Sequence, residues 1–129
     1  MRGLGACEID RWSYGGVVMV GRMVAFSRRG RSAQRMLNAI EPGSPLPIHR
    51  HRASSETVVC LRGRLVEEYY SPDGVCTEAI ELRPGGPVVG LNIPIGQWHT
   101  VRALESGTVI LEVKDGAYEP TGPEDILEI

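Results

Sequence analysis

Turn signals recur at short and nearly regular intervals along most of this sequence. They include Arg62–Gly63, the run SPDG at 71–74, the run RPGGP at 83–87 and the run ESG at 105–107. Each one separates segments rich in β-branched and aromatic residues, so candidate strands follow one another at roughly 8–12-residue spacing. Strands with this spacing are typical of an antiparallel sandwich or barrel. The sequence therefore predicts an all-β fold and not one built from long helices.

Individual strands can be placed between these turns by their apolar residues. Gly63 is expected to take the positive φ that a two-residue hairpin requires, and this would join the strands on either side of it. The Pro and Gly of the SPDG turn favour a second tight connection. The predicted strands are 17–26, one beginning at Gln34 and ending at the turn EPGS, 56–61, 64–70, 75–82, 88–94, 98–104 and 107–113.

Composition and charge limit the class of protein. The chain has 129 residues, which is enough for one hydrophobic core and short for two. A net charge of -2 gives no general attraction to nucleic acid or to an anionic membrane, so neither is an expected partner. The three cysteines lack the spacing of a disulfide framework or a CxxC zinc site, and no signal peptide or membrane span is evident. We expect a cytoplasmic protein with reduced thiols.

One basic run departs from this balanced charge. Four arginines lie between Arg28 and Arg35. They could contact phosphate, but a charged run that contains Gly and Ser is more typical of a solvated loop.

Several predicted strands are apolar on both faces. Alternation places Val58 and Cys60 on one face of their strand, and Val59 and Leu61 on the other. The outside of a small barrel is usually wet, so either the N-terminal arm or a second copy of the chain should cover part of it. We favour a homodimer.

The chain has only three histidines, and their arrangement points to a metal. His49 and His51 project to the same side of an extended segment, roughly 7 Å apart. Glu56 follows at an odd offset, so it converges with them only if the run RASS bends the chain. His99 must arrive from a distant strand, after the Pro/Gly turn of PIGQWH.

Three imidazoles and one carboxylate suit a divalent transition metal and leave coordination positions open for water, dioxygen or substrate. We expect one such ion, with Zn, Fe, Mn or Ni as candidates. The alternative is that His49 and His51 are surface residues among arginines and that Glu56 caps a strand.

Gly43, His49, His51, Glu56 and Gly63 together match the pattern G(x)5HxH(x)3-4E(x)6G, the first motif of the cupin superfamily. The second motif, G(x)5PxG(x)2H(x)3N, is matched by its proline, its second glycine and its histidine. It departs at the outer positions. The matching residues are Pro94, Gly96 and His99, and the departures are Val88 for glycine and Ala103 for asparagine.

The segments QRMLNAIEPGSPLPIHRHRASSETVVCLRGRL and IPIGQWHTVRALESGTVILEVKDGAYEP resemble WbuC-type cupin-fold metalloproteins, small bacterial proteins often associated with surface-polysaccharide gene clusters. The resemblance covers about Gln34 to Pro120. It implies an antiparallel cupin barrel, which is a double-stranded β-helix or jelly roll. It also implies metal at His49, His51, Glu56 and His99, and a sugar or sugar-nucleotide context, without supplying a reaction. We accordingly predict an N-terminal arm at 1–33, a barrel at 34–120 and a tail at 121–129 within one domain.

Further polar residues are candidates for the interior of the barrel. Strand alternation turns one of the pairs Glu67/Tyr69 and Glu68/Tyr70 inward. Glu112 interrupts an apolar strand, and Lys114 shares its face, either at the barrel mouth or towards solvent. The candidate catalytic carboxylates are Glu67, Glu68 and Glu112, and the candidate substrate-binding residues are Arg35, Arg62, Tyr69 and Tyr70.

The leading functional hypothesis is a metal-dependent enzyme that acts on a carbohydrate-related small molecule, with isomerisation or epimerisation preferred. An iron-dependent dioxygenase is the second enzymatic hypothesis. A non-catalytic sensor or binding module is the third.

Overall fold

A computed structural model describes residues 22–25, 33–116 and 121–129. Within these ranges the chain forms ten strands and one short 3-10 helix, Pro123–Asp125. The strands are β1 (Arg22–Ala25), β2 (Ala33–Ile40), β3 (Ile48–His49), β4 (Glu56–Arg62), β5 (Leu65–Tyr70), β6 (Cys76–Leu82), β7 (Gly90–Ile93), β8 (Trp98–Ala103), β9 (Thr108–Asp115) and β10 (Ile126–Leu127).

The strands form two antiparallel five-stranded sheets that pack face to face. The first sheet has the order β1-β2-β9-β4-β7, and the second has the order β10-β3-β8-β5-β6. Strands that are neighbours in a sheet are mostly distant in sequence, as in a jelly roll. The predicted all-β, antiparallel barrel is confirmed.

The connection at Gly63 differs from its prediction. Gly63 does take a positive φ of 80°. However, β4 pairs with β7 and β9, whereas β5 pairs with β6 and β8. The predicted hairpin is therefore wrong, because the chain crosses here from the first sheet to the second. A glycine signals the backbone conformation of a turn, but it does not reveal which strands pair beyond it.

The turn at 71–74 behaves as predicted, since it joins β5 to its neighbour β6 in the second sheet. The predicted strand at 17–26 is present as β1 over Arg22–Ala25, and its other residues lie outside the described ranges. β1 pairs with β2 and β10 pairs with β3, so segments on both sides of the predicted 34–120 barrel add outer strands to the sheets. The predicted domain boundaries therefore stay a prediction. The run of arginines predicted between positions 28 and 35 lies mostly outside the described ranges.

The hydrophobic core lies between the sheets. Leu65 and Leu82 of the second sheet and Ile93 and Ile110 of the first are almost completely buried. Burial of aliphatic side chains of this size stabilises the fold by about 1.5–3 kcal/mol each. Cys60 is buried in the same cluster as Val58, with which it shares a face of β4.

The outer face of the first sheet is partly apolar. Val59 and Leu111 are half-buried there, and Leu61 is 49% exposed. The predicted homodimer, which would cover this face, stays a prediction. No helix among the described residues is long and apolar enough to cross a membrane.

The crossing at Gly63 generates the first testable prediction. A Cβ at Gly63 would lie 2.4 Å from Thr108 Oγ1 and 2.8 Å from Thr108 Cα, in addition to the cost of positive φ. We expect Gly63→Ala to lower the free energy of unfolding by about 2–4 kcal/mol, measured by urea denaturation.

Gly43→Ala is the matched control. Gly43 also has a positive φ, 83°, but a Cβ there would meet nothing within 4 Å. Gly43→Ala should lower the free energy of unfolding only by the cost of a positive φ, which is about 1–2 kcal/mol. Equal losses in the two variants would show that the contact with Thr108 does not constrain the crossing.

Candidate functional site

A cavity of about 220 Å³ lies between the two sheets, next to the core. Its floor is apolar and is formed by Ile40, Val58 and Ile110, which also belong to the hydrophobic core. Polar groups from both sheets and from the segments next to them line most of the rest. They are Asn38, His49, His51, Glu56, Glu67, His99, Thr100, Glu112, Lys114 and Thr121.

The three histidines converge in this cavity. One potential ligand atom from each of His49, His51 and His99 lies within 4.8 Å of the other two. The ring centroids of His49 and His99 are 4.3 Å apart, and those of His49 and His51 are 5.0 Å apart. The predicted meeting of distant histidines is therefore present in the structure.

Strand pairing and a turn explain this convergence. β3 pairs with β8 so that His49 is directly opposite His99. His51 follows two residues after His49, and its carbonyl oxygen accepts a 2.8 Å hydrogen bond from the backbone N–H of Gly96. The PIGQWH turn thus holds His51 and presents His99 at the start of β8.

Backbone carbonyls orient two of the rings. Nδ1 of His99 lies 2.8 Å from the carbonyl oxygen of Gln97, and Nδ1 of His49 lies 3.2 Å from that of Pro47. A carbonyl only accepts hydrogen bonds, so Nδ1 is the protonated nitrogen in each ring and Nε2 carries the free lone pair. This tautomer is the one required for a ligand that binds metal through Nε2.

Glu56 reaches the histidines from the opposite sheet. The chain bends after His51, at Arg52 and Ala53, and enters β4 of the first sheet at Glu56. Its carboxylate oxygens lie 3.4 Å from His99 Nε2 and 3.7 Å from His51 Nε2. The bend that the spacing of these residues required is present, and it coincides with a change of sheet.

Burial keeps the imidazoles neutral. It lowers the pKa of His49 to about 4, with a further contribution from the nearby His99 ring. Burial, together with the charge of Lys114, lowers the pKa of His51 to about 3, and burial also lowers the pKa of His99. Near neutral pH the contacts with Glu56 are therefore not ion pairs, and three neutral nitrogen donors face the cavity.

Two further carboxyl groups line the cavity. Glu67 of β5 is 2% exposed, and burial, together with the charges of Glu56 and Glu112, raises its pKa well above the usual value. Burial and the charge of Glu56 raise the pKa of Glu112 to about 8. Both were predicted as candidate catalytic carboxylates, and both lie where a ligand would contact them.

The remaining predicted residues lie elsewhere. Glu68 points away from the cavity and accepts hydrogen bonds from Tyr70 (3.2 Å) and Arg102 (3.1 Å). Tyr69 faces inward but packs against the hydrophobic core. Glu68 is not among the described residues that line the cavity, and neither is any of the four predicted substrate-binding residues. Those four are Arg35, Arg62, Tyr69 and Tyr70, and their roles stay predictions.

Asn38 and Lys114 line the cavity, although neither was among the predicted site residues. Asn38 of β2 donates a hydrogen bond from Nδ2 to Glu112 Oε1, which fixes that carboxyl group. The sequence feature that could have identified Asn38 is its position as a polar residue on the inward side of the otherwise apolar segment MLNAI. Lys114 lines the cavity near His51, so it lies at the barrel mouth and not on an unrelated surface.

The donor set fits a divalent transition metal. Nε2 of His51 and Nε2 of His99 are buried and have no hydrogen-bond partner among the described residues. Such unsatisfied groups are costly unless a ligand or ion occupies the site. Metal–imidazole bonds of about 2.0–2.1 Å place two ligand nitrogens no more than about 4.2 Å apart, so a small inward movement of the rings would complete coordination.

Comparison with known proteins identifies the architecture. The model of a domain of unknown function, DUF6016, matches residues 24–82. A search of curated proteins found no match. Among solved structures, CapF of Staphylococcus aureus, a capsular polysaccharide assembling protein, superposes with a TM-score of 0.67 at 22% identity over 88% of this chain.

Two further structures share the architecture. Oxalate decarboxylase of Bacillus subtilis has a TM-score of 0.63 at 17% identity over 88% of this chain. A cupin 2 domain-containing protein of Halorhodospira halophila has a TM-score of 0.62 at 16% identity, covering 80% of this chain and 69% of its own. The chain has the cupin fold.

This chain corresponds to only part of the larger proteins with the cupin fold. The matched regions are 32% of the CapF chain and 29% of the oxalate decarboxylase chain. The Bacillus enzyme has Mn(II) centres, and CapF has been solved with the inhibitor 3-isopropenyl-tropolone. At these identities the comparisons establish the cupin fold, while the more specific WbuC-type assignment stays a prediction.

The raised pKa of Glu112 predicts a pH-dependent stability in the metal-free protein. A carboxyl group whose pKa is higher in the folded protein, here about 8, makes folding less favourable as pH rises from 4.5 through that value. Near pH 7 the free energy of unfolding should fall by up to about 1 kcal/mol per pH unit from this group. Glu112→Gln should flatten that slope in chemical denaturation between pH 7 and 8.5.

The chosen pH range avoids the histidines, whose pKa values lie at or below the ordinary 6.5. Glu78→Gln, at an exposed position of β6, is the control and should keep the slope of the unmodified protein. If Glu112→Gln has the same slope as this control, Glu112 does not lose its proton in this range.

Proposed function

We propose that this protein binds one divalent transition metal through His49, His51, His99 and Glu56, and uses it to act on a small molecule. The observation that carries the proposal is the geometry of the imidazoles. The Nδ1 atoms of His49 and His99 are bonded to backbone carbonyls, and the Nε2 atoms of His51 and His99 are buried without a partner. Zn, Fe, Mn and Ni all accept this donor set.

The chain's own groups supply binding and proton transfer. A bound metal would polarise a carbonyl or hydroxyl oxygen of the ligand. Glu67 and Glu112 line the same cavity from opposite sheets, so either can exchange a proton with a ligand held there. Asn38 positions the Glu112 carboxyl, and the apolar floor excludes water from the inner end.

We further propose that the ligand is carbohydrate-related, and that the reaction is a metal-assisted isomerisation or epimerisation. Two carboxyl groups on opposite walls favour this choice, because an isomerisation requires removal of a proton at one position and its delivery at another. The cupin fold of the capsular polysaccharide protein CapF is compatible with a sugar context. The resemblance to WbuC-type proteins supports the same context.

Two other functions use the same metal centre. An iron-dependent dioxygenase would consume oxygen only when the protein is loaded with Fe(II). A binding or sensor protein would bind its ligand without turnover. A sugar-nucleotide screen of the metal-loaded protein, with product detection and an oxygen electrode, separates these functions from an isomerase.

The metal centre is tested by elemental analysis of purified variants. We expect His99→Ala to reduce metal from a stoichiometric amount to a trace, because it removes one of the three imidazoles. Glu56→Gln should retain metal more weakly, because a neutral amide replaces the carboxylate. Glu78→Gln, which changes an exposed glutamate in the same way, should bind metal like the unmodified protein. Unchanged metal content in His99→Ala would refute the proposed centre.

The role of the carboxyl groups is tested separately from metal binding. Glu67→Gln should keep the metal and lower kcat roughly 100-fold or more on any substrate that the screen identifies, because a positioned acid or base contributes about 10²–10⁴. Undiminished turnover in both Glu67→Gln and Glu112→Gln would exclude them as proton carriers.

A further inference from the structure

A second cavity of about 490 Å³ adjoins the first. The two share His51, Lys114 and Thr121 in their walls. The inner cavity, at about 220 Å³, is smaller than the roughly 300–1,000 Å³ usual for small-molecule sites, while the outer one is within that range. A ligand of ordinary size that reaches the histidines would therefore extend past Lys114 into the outer cavity.

The two arginines in the outer wall already have partners. Nε of Arg50 lies 3.0 Å from Asp125 Oδ1, and Nε of Arg52 lies 2.7 Å from the same oxygen. Arg52 is also 3.6 Å from Glu124. These acidic groups balance the arginines, so the arginines do not provide uncompensated charge for a ligand.

Lys114 is different, because it makes no ion pair with any carboxylate among the described residues. It lies on β9, with Glu56 and Gln34 as its register neighbours, and it shares the inward face of the strand with Glu112. Among the described residues its Nζ makes one polar contact, with Nδ1 of His51 at 3.4 Å. Burial raises the pKa of the neighbouring Glu56, and the positive charge of Lys114 opposes this shift. No carboxylate of the part of the chain that the structure describes, however, forms a close ion pair with this ammonium group at the junction of the two cavities.

Metal binding would make this arrangement more favourable to an anion. With Nε2 of His51 bound to metal, the proton of the neutral ring is on Nδ1, which then becomes a donor. The Nζ of Lys114 is also a donor, so the two groups cannot satisfy one another. An oxygen of an anionic ligand could accept hydrogen bonds from both.

We propose that Lys114, together with Nδ1–H of His51, forms an oxyanion-binding subsite at the junction of the two cavities, and that the natural ligand bears a carboxylate or a phosphate. The contribution of His51 rests on the proposed metal function, whereas the charge of Lys114 does not. The subsite narrows the ligand class to anionic small molecules such as sugar acids or sugar phosphates.

The test is calorimetric titration of the zinc-loaded protein with three probes: glycolate, methyl phosphate and neutral ethylene glycol. At least one of the two anions should bind, and ethylene glycol should bind much more weakly. Lys114→Gln should weaken anion binding roughly 10- to 100-fold, and Lys114→Arg should restore part of it. Preference for glycolate would indicate a carboxylate ligand, and preference for methyl phosphate would indicate a phosphate ligand.

Arg102→Gln is the matched control, since it removes one positive charge outside both cavities. Arg102 is 55% exposed in its side chain and pairs with Glu68 at 3.1 Å. It should leave anion affinity unchanged. The proposal is overturned if neither anion binds, if ethylene glycol binds as well as the anions, or if Lys114→Gln is no weaker than Arg102→Gln.

The same titrations on metal-free protein separate the two proposals. If elemental analysis shows that the protein does not take up metal, the proposed metal function is wrong. The metal-free titrations then decide the role of Lys114 alone. Weaker anion binding in Lys114→Gln than in Arg102→Gln supports the subsite, and equal binding overturns it.

Discussion

The antiparallel pairing of β3 with β8 is the contact on which the site depends. It places His49 directly opposite His99, although the two residues are fifty positions apart in sequence. The hydrogen bond from Gly96 to the carbonyl of His51 fixes the third ring beside them. Because these are backbone interactions, the imidazoles are positioned by the sheet itself and not by flexible side-chain contacts. Such preorganisation reduces the conformational entropy lost on metal binding.

The second sheet alone would give the three histidines and Glu67, without the Glu56 carboxylate that lies against the imidazoles. The first sheet contributes Glu56, Glu112 and Lys114 from two adjacent strands, β4 and β9. Placing these charges between the sheets removes them from water, and this raises the pKa of both carboxyl groups. The result is a small polar site above an apolar core, in which charged groups are retained at a cost in stability. Such a cost is typical of sites that bind a ligand or ion.

The reliable sequence predictions were those that depended on local spacing. Alternation within a strand grouped Glu67 with Tyr69 and Glu68 with Tyr70, and the structure then showed that the first pair faces inward. The odd offset between His51 and Glu56 correctly required a bend. Predictions that needed the partner of a strand were weaker, and the hairpin at Gly63 was wrong because a positive-φ glycine serves equally well at a crossing between sheets.

The sequence by itself determined the strand segments, the turns and the four residues whose side-chain chemistry suits a metal, because these follow from residue type and near-neighbour spacing. Only the tertiary structure decided which strands pair, which ring nitrogens lack partners and which cations are already neutralised. Lys114 and Arg52 are both cationic residues in the sequence. Lys114 faces a cavity and forms no close ion pair with the described residues, whereas Arg52 is bound to Asp125. That difference depends on which groups the folded sheets bring within a few ångströms of each other, and residue spacing along the chain does not encode it.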